Sequence, residues 1–217
     1  MTARITHALA EFKKEERSYL WYGSILVLYV ICFFIIDRSI PMSRCITTHV
    51  DLDDKIPLLE GFILPYMLWF PMVAGMGVYL GVKDPEAYKK YMIYVGLTFF
   101  STLLLYCIVP TKQELRPEIL PRENFCTWVL SMTYAADTNT NVCPSLHVIG
   151  SIAVIVGGLS CKALRRPLPQ IFIWALALTV AVSTVFVKQH SVLDLILAVP
   201  MCLIFLPFVY SGRKNLK

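Results

Sequence analysis

The sequence predicts an all-α fold: a polytopic membrane protein built as a six-helix transmembrane bundle, with an amphipathic helix lying at the interface before it. Three observations predict it. Of the 217 residues, 57% are apolar and only 16% are charged, a composition far from that of soluble domains. Near-continuous apolar runs of about 18 to 20 residues, the length that crosses roughly 30 Å of hydrocarbon as a helix, occur six times. Lys and Arg are dense in alternate connections, as they are when basic residues stay on the cytoplasmic side.

Residues 1–18 place Ile5, Ala8, Leu9 and Phe12 at helical spacing with charges on the opposite side, which predicts the interfacial helix. Tyr19, Trp21 and Tyr22 then mark a membrane interface. The first span, 19–36, lacks a small-residue cleavage site and runs directly into Asp37 and Arg38, so it reads as retained rather than as a signal peptide. The other spans are predicted at 62–82, 91–109, 146–161, 168–187 and 192–210. Pro65 and Pro71 in the second span and Pro200 and Pro207 in the sixth are expected to kink their helices. Without a repeat or low-complexity segment, residues 1–217 read as one integral membrane domain.

An even number of spans puts both termini on one side. That side carries thirteen Lys and Arg residues and the other seven, so both termini are predicted cytoplasmic, in the cell membrane. The net charge of +5 is accounted for by this asymmetry and implies no nucleic-acid partner. Of the seven cysteines, Cys32, Cys107, Cys161 and Cys202 fall in or at the ends of spans and read as packing residues. Cys45, Cys126 and Cys143 lie on the opposite, outer side, where one disulfide is possible in an oxidising compartment.

The two long outer connections differ. In the first, 37–61, Asp51, Asp53 and Asp54 form an acidic cluster without the glycine turn and distal Glu of a calcium loop, so it reads as solvated. The second, 110–145, is long and chemically varied, which marks a functional loop.

The chemistry gathers around two histidines. His147 opens the fourth span and His190 follows the fifth, so two antiparallel helices return them to the same membrane face. Asp194, four residues after His190, can share its helical face and fix its tautomer, leaving the other ring nitrogen electron-rich. Pro144 and Ser145 precede an apolar helix whose free N–H groups suit a phosphate, with the Ser145 hydroxyl as an added donor. Arg116 can grip phosphate oxygens bidentately, and Lys112 and Lys188 can add positive charge. Snorkelling to the interface is the alternative role for Arg116 and Lys112. A zinc site from His147, His190 and Asp194 is disfavoured by the neighbouring cations; no metal and no other cofactor is expected.

These segments resemble the type 2 phosphatidic acid phosphatase superfamily. The matching pieces are Leu-Arg-Pro with Arg116 and Pro117, Pro-Ser-Leu-His at 144–147, and the stretch from Ser183 to Asp194 with its His-x3-Asp ending. Three positions depart from the pattern. Leu146 replaces the usual glycine, as it does in some bacterial members and in inositol phosphorylceramide synthases. Val109 stands where the first-motif lysine is expected, and Thr184 where the third-motif arginine is expected. The resemblance, anchored between about 110 and 200, implies His190 as a nucleophile that forms a phosphohistidine, oriented by Asp194. It implies His147 as acid and then base, and Arg116, Ser145, Lys188 and backbone N–H groups as the phosphate grip, with Lys112 a candidate substitute for the first-motif lysine.

The expected activity is hydrolysis of a membrane lipid phosphate or diphosphate, of the phosphatidate, phosphatidylglycerophosphate or polyprenyl diphosphate class, on the extracytoplasmic face. Transfer of the head group to an alcohol, as in sphingolipid synthases, is the second reading, and binding or transport of a lipid phosphate without chemistry the third.

Overall fold

A computed structural model describes residues 18–211. The expected interfacial helix falls almost wholly outside these residues. We number the helices α1 Ser24–Ser39, α2 Asp51–Lys55, α3 Ile63–Met67, α4 Trp69–Lys83, α5 Pro85–Ile108, α6 Phe125–Ala136, α7 Leu146–Ser160, α8 Pro167–Phe186 and α9 Val192–Tyr210. A 3-10 segment, Ser18–Gly23, leads into α1. Two short strands, β1 Ile46–Thr47 and β2 Thr111–Lys112, pair in parallel and tie the first long loop to the second.

Among the described residues five helical stretches are long and apolar enough to cross a membrane: Ser18–Ser39, Glu60–Lys83, Pro85–Ile108, Pro167–Phe186 and Val192–Tyr210. Their outward faces carry exposed Val27, Val78, Leu104, Phe172 and Phe208, apolar surface suited to lipid, and the protein is integral to a membrane. The helix α7 is apolar but has only 15 residues, so at 1.5 Å per residue it is about 22 Å long. The stretch read as the second span breaks at Leu68, between α3 and α4. Pro71 lacks the N–H that would bond the Met67 carbonyl, so the helix restarts with proline in its first turn, where the missing donor costs nothing.

The helix α7 is the centre of the bundle, packed by α4, α5, α8 and α9. Small residues let its neighbours in. A Cβ on Gly150 would lie 2.5 Å from Trp69 Nε1, and one on Gly157 would lie 2.8 Å from the Tyr91 ring. Buried tyrosines then satisfy carbonyls inside the bundle, with Tyr91 donating to Val73 at 2.9 Å, Tyr94 to Cys202 at 2.9 Å and Tyr106 to Pro144 at 2.7 Å. The last of these fixes the segment entering α7. All seven cysteines are free.

Candidate active site

The site forms where the two long loops and the ends of α7, α8 and α9 meet. Helix α8 ends at Phe186, and Lys188 takes a left-handed conformation, φ 54°, that turns the chain back. The Thr184 carbonyl then accepts the backbone N–H of both Gln189 and His190, at 2.9 and 3.2 Å, which sets the height of the histidine. Thr184, at the expected arginine position, is fully buried, its hydroxyl donating to Ala181 at 2.8 Å. Its contribution is this backbone anchor.

Ser191 caps α9, and Asp194 completes a capping box by accepting the Ser191 N–H at 3.0 Å. The same oxygen, Oδ2, lies 3.2 Å from His190 Nδ1. An ionised carboxylate only accepts, so Nδ1 carries the proton and the lone pair sits on Nε2. The expected His-Asp pair is therefore present, buried at the mouth of α9.

The other histidine comes from the N-terminal turn of α7. The Ser145 N–H donates to the Asp194 carbonyl at 3.0 Å, which ties this turn to α9, and the rings of His147 and His190 stand edge to face with centroids 5.7 Å apart. Two aromatic side chains hold His147: Tyr66 stacks on it at 4.3 Å and Trp69 lies tilted against it at 4.8 Å. Their spacing of three residues places both on one helical side, but nothing in the sequence ties them to a histidine eighty residues on. No side chain caps α7, so its first N–H groups and the buried Ser145 hydroxyl face the site without a protein acceptor.

The basic residues are placed unevenly. Arg116 Nη1 donates to the carbonyls of Tyr134 and Asp137, at 3.2 and 3.0 Å, and Nη2 to Thr138 at 2.8 Å and to Gln189 Oε1. Its guanidinium also lies 4.7 Å above the Tyr134 ring. Arg116 thus joins the second loop to the residue beside His190, leaving Nε buried and unpaired. Burial pulls its pKa down while Asp137 opposes that; the group stays charged. Burial pushes the Asp137 carboxyl up, against the pull of Arg116. Lys188 Nζ donates to the carbonyls of Asp53 and Ile56 at 2.8 and 2.6 Å. Burial lowers its pKa, with Asp53 and Asp54 opposing. Lys112 pairs with Glu114 at 2.5 Å, and Val109, at the expected lysine position, is exposed at the end of α5.

Besides Tyr66 and Trp69, sequence reasoning missed four groups. Gln189 and Gln113 are buried, each with its amide oxygen bonded, to Arg116 and to the Leu115 N–H, and its Nε2 unpaired. Asp37, at the end of α1, accepts from Thr138 at 2.7 Å and Asn141 at 3.1 Å, pinning the segment before α7. The fourth is a correction. Asp53 is not solvated but buried, and its carboxylate receives Ser191 Oγ at 2.6 Å, Val192 N at 2.8 Å and Val50 N at 2.9 Å. Asp51 and Asp54 are exposed, as expected. A one-dimensional pattern cannot tell these three aspartates apart, because the difference is made by a helix 138 residues away.

Among the described residues no three His, Cys, Asp or Glu side chains gather as a metal would require. The arrangement can deliver an imidazole nitrogen to an electrophile, hold a second imidazole across from it, and offer several donors to an anion between them. A family profile described as the PAP2 superfamily matches residues 90–217, more than half of the chain, and covers Arg116, Ser145, His147, Gln189, His190 and Asp194 but not Asp37, Asp53, Tyr66 or Trp69. No curated protein and no solved structure matches the chain significantly.

Proposed function

The chain belongs to the PAP2 superfamily, a family of phosphatases and related phosphotransferases, and on that premise we propose that it hydrolyses a membrane lipid phosphate or diphosphate through a phosphohistidine. The observation that carries this reading is the pairing of His190 with Asp194 opposite His147, beside the buried and unpaired donors Ser145 Oγ, Arg116 Nε and Gln189 Nε2.

In the proposed reaction His190 Nε2 attacks phosphorus in line with the leaving oxygen. Asp194 holds the Nδ1 proton and stabilises the charge that develops on the ring. His147 gives its proton to the departing alkoxide or phosphate, then takes one from the incoming water, whose oxygen displaces His190 and releases inorganic phosphate. The N-terminal N–H groups of α7, Ser145 Oγ, Arg116 Nε and Gln189 Nε2 stabilise the equatorial oxygens. Lys188 and Lys112 add positive potential rather than direct grip, given the partners they already hold. The scheme draws on no metal or other cofactor.

Leu146 places the chain, in this reading, with the Pro-Ser-Leu-His branch of the superfamily. The bundle is read as one domain with six spans, α7 being the short fourth, with both termini cytoplasmic and the site on the extracytoplasmic face of the cell membrane. Substrate lipid then enters laterally from the outer leaflet.

The test is phosphate release by purified protein from a panel of phosphatidate, phosphatidylglycerophosphate and polyprenyl diphosphate. Release from at least one, lost in His190→Ala, supports the reading. Transfer to added diacylglycerol or ceramide in place of phosphate release would make the protein a phosphotransferase, and unchanged turnover in His190→Ala would end the mechanism.

A further inference from the structure

The loop before α3 lies outside the residues that match the family, yet it grips the turn that carries His190 at three points. The Leu59 N–H donates to the Phe186 carbonyl at 3.0 Å, where α8 ends. Lys188 Nζ donates to the carbonyls of Asp53 and Ile56 at 2.8 and 2.6 Å. The Asp53 carboxylate then takes Ser191 Oγ on one oxygen at 2.6 Å and Val192 N on the other at 2.8 Å. Residues on both sides of His190 are thus fixed to a single short helix, α2, while β1 fixes the same loop to β2 in the first-motif segment.

We infer that Asp53 is a positioning residue for His190, holding the turn between α8 and α9 so that the imidazole stays aligned on phosphorus. The inference rests on the proposed role of His190 as nucleophile. The chemistry of the contact supports it. Asp53 and Ser191 are both buried, so water does not compete for these hydrogen bonds. A carboxylate at the N-terminus of α9 meets the positive end of the helix dipole as well as its first free N–H. Because Ser191 Oγ also accepts the Leu193 N–H at 3.2 Å, the acid, the cap and the first turn of α9 form one chain of bonds next to the nucleophile. Asp194 orients the ring within α9, and Asp53 places α9 against the rest of the site.

The experiment compares Asp53→Ala, Asp53→Asn and His190→Ala as purified full-length proteins with phosphatidate in detergent micelles. Hydrogen exchange of the 188–194 segment is measured alongside. A displacement of about 1 Å at a reacting group can cost about 10²-fold, so Asp53→Ala is expected to lower kcat by about that factor, with KM within about twofold of wild type. Asp53→Asn keeps the size and one good acceptor, so its kcat falls in between, and exchange at Val192 rises in both variants. A merely structural role would lower the folded fraction without splitting kcat from KM. If Asp53→Ala does not fold, Asp53→Asn decides by the same two readouts.

Wild-type kcat in a folded Asp53 variant, with or without faster exchange, overturns the inference while an inactive His190→Ala leaves the phosphatase reading standing. If wild type turns over no lipid phosphate, that reading fails by itself, and unchanged exchange at Val192 in the Asp53 variants would overturn the clasp as well.

Discussion

At His190 one hydrogen bond decides which ring nitrogen keeps its lone pair free. Asp194 Oδ2 accepts from both the His190 ring and the Ser191 backbone, so its charge serves the ring and the helix cap together. Asp194→Asn keeps an oxygen for the Ser191 N–H but offers the ring an amide donor, which favours the other tautomer. Its kcat is expected to drop by about 10²- to 10⁴-fold with the helix intact, measured by phosphate release beside circular dichroism. Asp137 makes a different prediction. Burial outweighs Arg116 and raises its folded pKa above the ordinary aspartate value. The native state then holds this proton to higher pH than the unfolded state, and the contribution to stability falls as pH rises through that window. Asp137→Asn is expected to flatten the pH dependence of the melting temperature there; an unchanged slope would show that Asp137 does not titrate as described.

The elements show why the site was partly legible in the sequence. His147, His190 and Asp194 could be placed because helix length and the His-x3-Asp spacing are local properties, and α7, α8 and α9 are near their expected limits. Arg116 was singled out as a phosphate ligand, yet most of its donors bind carbonyls of the second loop, because a loop without periodicity gives no sign of its own hydrogen bonds. The roles of Asp53, Gln189, Tyr66 and Trp69 depend on contacts between distant elements, which no spacing rule carries. Gly150 gives the matching test of packing. A methyl there would meet Trp69 Nε1 at 2.5 Å and push the indole from its place 4.8 Å from His147. Gly150→Ala is expected to cost about 1–3 kcal/mol of stability, read as a lower melting temperature, and to lower kcat because the support of His147 shifts. A variant with wild-type stability and rate would remove Trp69 from the account of the site.

Over the whole molecule, composition and apolar runs announced a helical membrane protein, and five stretches of spanning length bear that out. The short α7 lies close to the 146–161 run expected for it, enclosed by four other helices, with the long second loop carrying the chain to its start. The proposed orientation puts that loop outside. A cysteine at Ile119, which is 84% exposed, is expected to react with a membrane-impermeant maleimide added to intact cells, above a wild-type blank; labelling only after permeabilisation would reverse the topology. The central claim is chemical, however, and its most direct test is rapid-quench trapping of protein turning over phosphate-labelled phosphatidate, followed by peptide mapping. The account predicts a phosphoryl group that is acid-labile and base-stable on His190, absent from His190→Ala; label on another residue, or turnover by His190→Ala at the wild-type rate, would contradict it.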